Sequence, residues 1–156
     1  MLCSNLKKLI TTSFDNIIKV WDLNKPKCLK RLIGHTDTII TFEFSSNGYL
    51  ISGSQDKTLK VWNIENGRES LLKTISFTQP INCLKSINQN TLVIGSYNLN
   101  DNSNILIYDL KNEKIIKSFH SHNEYVWKLM LLSNGNLVTC GGNQLRLWSF
   151  IDSNKI

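Results

Sequence analysis

Proline and glycine are scarce in this 156-residue chain, at 2 and 8 copies, which excludes collagen-like and low-complexity linker segments. Cysteine is sparse too. Cys3, Cys28, Cys83 and Cys140 stand far apart, with no C-x-x-C pair and no zinc-finger spacing, so free buried thiols in a reducing compartment are expected rather than a disulfide framework. Long apolar runs are missing, and Lys7 and Lys8 interrupt the N-terminus before one can build. Neither a signal peptide nor a transmembrane helix is expected, and no membrane partner. No N-x-S/T acceptor is present. These absences predict a soluble intracellular protein, cytoplasmic or nuclear.

Dense charge blocks are also lacking. The formal net charge is +6, but the lysines are scattered, as in Lys7–Lys8, Lys57–Lys60 and Lys111–Lys117, without interleaved aromatics. Solvated strand edges, which carry Lys against aggregation, fit this better than a nucleic-acid footprint, so nucleic acid is not the expected partner. What is present is an apolar share of 41%. A compact chain of this size buries roughly 68–70% of its unfolded surface, enough for a core.

The strongest signal is internal repetition. IIKVWDL (17–23), TLKVWNI (58–64), NILIYDL (104–110) and QLRLWSF (144–150) alternate apolar and polar residues and carry an aromatic near the end, namely Trp21, Trp62, Tyr108 and Trp148. Those aromatics are 41, 46 and 40 residues apart. Upstream lie KLITTS (8–13), YLISGS (49–54), TLVIGS (91–96) and NLVTCGG (136–142). A third run precedes three of these, IITFEF (39–44), INCLKSI (81–87) and YVWKLMLL (125–132), and a fourth opens each full unit, as in CLKRLIGH (28–35). Ser46-Asn47-Gly48, Asn66-Gly67 and Ser133-Asn134-Gly135 punctuate the runs. Period-2 runs cut by Asn/Gly turns are hairpin strands, and no helical periodicity is sustained.

Four strands in roughly 40–45 residues is the period of a β-propeller blade. The second unit carries Gly34-His35, Ser52-Gly53-Ser54, Asp56 and Trp62-Asn63 at linked offsets, and the first ends in Trp21-Asp22. Over nearly its whole length the chain resembles the WD40 repeat family. The resemblance implies an all-β fold of four-stranded antiparallel blades, one WD40 domain over 1–156 with blades near 1–34 (partial), 35–78, 79–121 and 122–156 (partial). The strand tally is 3, 4, 4 and 3, or 14, giving an open ring of about three and a half blades. The piece is expected to belong to a longer propeller; pairing with a second copy or another half-propeller, and closure as a strained four-bladed ring, are the alternatives. An open arc would expose apolar faces at both ends.

The resemblance also assigns roles. Trp62, Ser52, His35 and Asp56 would form a buried hydrogen-bond relay, each polar group costly alone and tolerable when linked. Thr11, Asp15 and Trp21 in the first unit, and His122, Thr139 and Trp148 in the fourth, would form partial versions, with Asn143 near the fourth unit's carboxylate position. The third unit has Ile94, Asn98 and Tyr108 at those places and no His, so apolar packing alone is expected there. Ser52, His35 and Asp56 spell a hydrolase triad by type, yet no G-x-S-x-G elbow is present and the hydroxyl is already engaged, so no catalytic residues are expected. His120, His122 and Cys140 fall short of a metal site because His122 has a relay role. No phosphate loop is present. Neither metal nor cofactor is expected.

By resemblance, partners would dock on one rim of the ring, carrying Thr36, Asp37, Thr38, Ile40, Gln55, Lys57, Glu124, Tyr125 and Trp127. Tyr125 and Trp127 are residue types that dominate binding hot spots; packing between blades is the competing role for Trp127. The segment Asn98–Asn104 reads as a polar insertion. The implied function is a non-catalytic protein-interaction scaffold or adaptor. A nucleic-acid or chromatin reader, and a substrate receptor of a ubiquitin ligase complex, are the alternatives.

Overall fold

The structure, a computed structural model, describes residues 2–3 (backbone), 8–25, 27–65, 70–97, 104–123 and 125–149. All regular structure there is strand. The first sheet contains β1 (Leu2–Cys3), β2 (Lys8–Thr12), β3 (Ile18–Asp22) and β4 (Lys27–Leu32). The second contains β5 (Ile39–Phe44), β6 (Leu50–Ser54), β7 (Thr58–Trp62) and β8 (Leu71–Ser76). The third contains β9 (Ile81–Ser86), β10 (Thr91–Ser96), β11 (Ile105–Asp109) and β12 (Lys114–Phe119), and the fourth β13 (Val126–Leu131), β14 (Leu137–Gly141) and β15 (Gln144–Trp148). Within each sheet, chain neighbours pair antiparallel.

The expected tally of 14 strands is corrected to 15 among the described residues. Leu2 pairs with Leu9 and Cys3 with Lys8, so the first sheet has four strands and not three. Two residues suffice for that ladder, too few for an alternation to show in the sequence.

Turn chemistry sets the hairpins. Gly48 and Gly135 sit at φ +80° and +82° with open space around their Cα atoms, so each is needed for its left-handed backbone rather than for its small size. Gly53 is there for space: an added Cβ would lie 2.3 Å from Ile81 Cγ2 on the next sheet.

The core is three layers, one at each junction between successive sheets. Ile10, Ile18, Val20 and Leu32 meet Leu50, Trp62 and Ile64. Ile51, Leu59 and Ile75 meet Ile81, Leu92, Ile94 and Tyr108. Cys83, Val93 and Ile105 meet Val126, Leu129 and Leu137. The strand β6 is buried along its whole length because it contributes to two layers. Among the described residues the sheets form an open arc rather than a closed ring. On the outer face of the fourth sheet Leu145 and Leu147 are 73% and 63% exposed, while Ile105 and Ile107, at the corresponding places in the third, are 0% and 2% exposed.

The expectation of buried thiols needs correction. Cys83 is buried, but Cys28 and Cys140 are half-buried. Cys140 lies on that uncovered face, paired with Leu145, and no further sheet shields it among the described residues. Burial pushes the Cys83 thiol up to about 12, so it is inert.

Candidate functional site

The second sheet assembles a continuous polar chain inside an apolar layer. Trp62 Nε1–H donates to Ser52 Oγ at 2.8 Å, Ser52 Oγ meets His35 Nε2 at 2.7 Å, and His35 Nδ1 meets Asp56 Oδ2 at 2.7 Å. Strands β6 and β7 are adjacent, which places Ser52 beside Trp62, while the link after β4 carries His35 across from β6. The imidazole is buried, and desolvation is the main reason its pKa lies below the ordinary value. A neutral ring with the proton on Nδ1 satisfies every member: Nδ1–H donates to Asp56 and Nε2 accepts from Ser52. Asp56 is held ionised, at about 2, against its partial burial by bonds from Thr58 Oγ1, His35, Thr36 N and Thr58 N. Thr58 therefore closes the carboxylate end, at 2.7 Å through its hydroxyl. The sequence gives no separate warning of that role. Ser52 is fully buried, with its hydroxyl bonded to both Trp62 and His35.

The other sheets carry less of this chain. In the first, Trp21 Nε1–H donates to Thr11 Oγ1 at 2.9 Å. Asp15 is not joined to them: it is exposed and takes Lys19 Nζ at 2.7 Å, which lowers its pKa. In the fourth, Thr139 Oγ1 receives Trp148 Nε1–H at 3.0 Å and meets His122 Nε2 at 2.9 Å. Asn143 is exposed and makes no hydrogen bond with His122, because the shorter turn carries it outward. Desolvation again depresses the His122 imidazole. Ser121 Oγ also meets Thr139 at 2.9 Å, and buried Asn104 accepts Ser121 N–H at 2.8 Å and donates to the His122 carbonyl. Asn104 stands four residues before Tyr108, as Thr58 does before Trp62; that offset is the signal that could have found it. His120 and His122 lie in a link rather than on a strand; His120 Nε2 turns to Asn123 Oδ1 at 3.1 Å, away from Thr139.

In the third sheet Ile94 and Tyr108 are buried, and Asn98 lies outside the described residues. Phe77, seventeen residues before Ile94 as His35 is before Ser52, packs edge-on to Tyr108 with ring centroids 5.4 Å apart.

The predicted rim residues separate into two groups. Thr36 N–H donates to Asp56, the Asp37 carbonyl accepts Ser54 Oγ–H, the Thr38 carbonyl accepts Gln55 N–H, and the Lys57 carbonyl accepts Phe77 N–H. Their backbones are occupied in fixing the turns around the relay. Glu124 lies outside the described residues. Tyr125 and Trp127 form the second group and stack at 4.9 Å, and Tyr97, at the place Gln55 holds in the second unit, stacks on the other side of Tyr125 at 3.8 Å. The indole of Trp127 ends this three-ring slab and is 57% exposed. Packing between blades is therefore not its main environment.

Three β-bulges fall at one place in successive sheets. Ile40 in β5, Asn82 in β9 and Trp127 in β13 are each the extra residue where the ladder shifts register. A bulge re-aims its side chain away from the ordinary alternation. All three line a groove of about 350 Å³ walled by β5, β9 and β13.

The family described as "WD domain, G-beta repeat" matches residues 26–63 and 113–149. These spans include the Trp62 and Trp148 strands. The U3 small nucleolar RNA-associated protein 15 homolog of Xenopus laevis is 28% identical over 145 residues, covering 91% of this chain and 27% of that protein. WD repeat-containing protein 37 of Homo sapiens is 27% identical over 143 residues, covering 85% and 28%. The chain thus spans about a quarter of the length of the curated relatives it matches. The crystal structure of the WD40 beta propeller domain of Doa1 superposes with a TM-score of 0.76 at 24% identity, over 93% of this chain and 47% of that one.

Proposed function

This chain is built of WD40 repeats, and from that premise we propose that it is a non-catalytic scaffold that holds other proteins through the rim bearing Tyr97, Tyr125, Trp127 and Ile40. The observation that carries the reading is the exposed indole at the end of a fixed aromatic slab. A large apolar ring kept in water on a rigid frame favours recognition, and Trp and Tyr are enriched among residues whose loss weakens binding most. The relay around Ser52 supports the same reading, since it stiffens the frame and leaves no hydroxyl free for chemistry. The uncovered outer face of the fourth sheet fits packing against a further blade, from the same polypeptide or a second chain. No helix among the described residues is long and apolar enough to cross a membrane, and we place the protein inside the cell, in cytoplasm or nucleus.

The test is quantitative affinity capture with the wild-type chain and with Trp127→Ala. A set of captured proteins should be lost on substitution while the thermal melt stays unchanged. If Trp127→Ala melts as badly as Trp62→Ala, or captures the same proteins, the rim reading fails. A nucleic-acid reader is the second reading, favoured by the net charge of +6 and by the RNA-associated relative. It requires binding that weakens steeply with salt.

A further inference from the structure

The second sheet is a template for the fourth. In the second, Asp56 sits in the turn between β6 and β7. One of its oxygens takes His35 Nδ1 and the Thr36 N–H, and the other takes the Thr58 N–H and hydroxyl. In the fourth, His122, Asn123, Gly141 and Gln144 stand at the places of His35, Thr36, Ser54 and Thr58, by their offsets from Thr139 and Trp148. The turn here is one residue shorter, and the carboxylate's own place is lost with that residue. The same four residues, with Gly142 and Asn143, line a cavity of about 120 Å³. The cavity therefore lies where the second sheet holds its carboxylate.

The imidazole on this cavity is held on one side only. His122 is 2% exposed, and its Nε2 meets Thr139 Oγ1 at 2.9 Å. Trp148 N–H and Ser121 O–H fill the two lone pairs of that hydroxyl. Its proton then goes to Nε2, and the neutral ring carries its own on Nδ1. Among the described residues no acceptor takes the Nδ1 proton and no carboxylate pairs with the ring. A buried donor left this way is costly. Desolvation first, and then the charge of Arg146, keeps the ring neutral; the same guanidinium makes the field at the cavity favourable to an anion. The wall at Gly141 is bare backbone, since a Cβ there would lie 2.5 Å from His122 Cγ.

We propose that this cavity binds a small free carboxylate, of the size of formate or acetate, in the place the aspartate holds in the second sheet. One oxygen accepts His122 Nδ1–H and the Asn123 N–H, as Asp56 Oδ2 accepts from His35 and Thr36. The other accepts from the Gln144 side-chain amide, whose own oxygen already takes Arg146 at 3.2 Å. Chloride has a single centre and does not span both sets of donors. The ligand completes the fourth blade's relay and thereby stabilises the blade. The proposal does not rest on the rim reading.

The experiment titrates the full 156-residue chain with sodium formate, sodium acetate or sodium chloride at constant ionic strength. Long-range proton–nitrogen spectra near pH 7 follow the His122 ring. Before any addition Nδ1 should carry the proton. Formate and acetate should shift the Nδ1–H resonance downfield and saturate in the millimolar range, the best so small a ligand reaches. At about 0.1 M they should raise the melting temperature by about 3 °C over chloride. Exchanging residues 142–143 for the sequence of residues 55–57 supplies an internal carboxylate and should abolish both effects. Gln144→Glu, a change at an exposed position, should weaken formate about tenfold by repulsion, and it carries the test alone if the exchanged turn does not fold. A chloride response equal to that of formate, a proton on Nε2 in the free chain, no saturable shift, or a formate response that survives either variant would each overturn the proposal.

Discussion

The second and third blades bury corresponding positions with opposite chemistry. In the second, Ser52, His35, Asp56 and Trp62 are linked by bonds of 2.7 to 2.8 Å. In the third, Ile94, Phe77 and Tyr108 stand at those places and meet through apolar contact and an edge-on ring pair. The two aromatics are buried to a similar degree, Trp62 and Tyr108 being 1% and 4% exposed. The relay is therefore one of two ways to fill the same space. It differs in being all-or-none: removing one member leaves its neighbours buried without partners, whereas trimming an apolar member leaves only a small cavity.

The largest break in that comparison is Trp62→Ala. It empties a full indole volume and takes from Ser52 the N–H that its hydroxyl oxygen accepts, and should cost about 3–5 kcal/mol, read as a shift of the urea midpoint. A loss below about 2 kcal/mol would mean the blade re-packs freely. Next comes Ser52→Ala against Ile94→Val. The first leaves the Trp62 N–H and His35 Nε2 unpaired, at about 1–3 kcal/mol for each orphaned group, while the second should cost about 0.5–1.5 kcal/mol. Equal costs would remove the distinction between the blades.

Acid should act on the relay and spare the third blade's core. A protonated His35 would put a second donor against Ser52 Oγ, beside Trp62 N–H, and the serine proton would lose its acceptor. The folded-state pKa of His35 lies below the ordinary 6.5. The unfolded chain therefore binds more protons in that window, and stability is lost as pH falls from 6.5. Asp56, lowered from 3.8 to about 2, adds stability that is present above 3.8 and lost as pH falls toward 2. Urea midpoints should fall steadily from about pH 7 to pH 5, and His35→Phe, which copies Phe77, should flatten much of that slope. His122, depressed as well, keeps the remainder. An unchanged slope in His35→Phe would remove the relay from the pH response. The smallest effect is Tyr108→Phe. No bond to its hydroxyl is made among the described residues, so the change should stay within about 0.5 kcal/mol; a larger loss would reveal a polar role in the third blade.

Much of this was legible in the sequence because strands and turns write locally. The alternation in 58–64, the Asn-Gly turns and the linked offsets from His35 to Trp62 suffice for the blades. What stayed hidden depends on register. Nothing in IITFEF, INCLKSI or YVWKLMLL marks Ile40, Asn82 and Trp127 as bulged, because a bulge arises only when a strand meets its partner. Asp15 has the right offset for a relay, yet without a histidine nearby it stays in water with Lys19. Thr58 and Asn104 share an offset of four residues before Trp62 and Tyr108, which marks the position, but only three-dimensional proximity gives each its partners. Tyr97 joined the aromatic slab for the same reason.

The relay's proton arrangement is the point on which the account turns, and the His35 ring reports it directly. A long-range proton–nitrogen correlation spectrum near pH 7 should show Nδ1 protonated and Nε2 bare, the arrangement in which Asp56 accepts and Ser52 donates. A proton on Nε2, or a charged ring, would contradict it and leave the buried Ser52 and Trp62 without the chain described here.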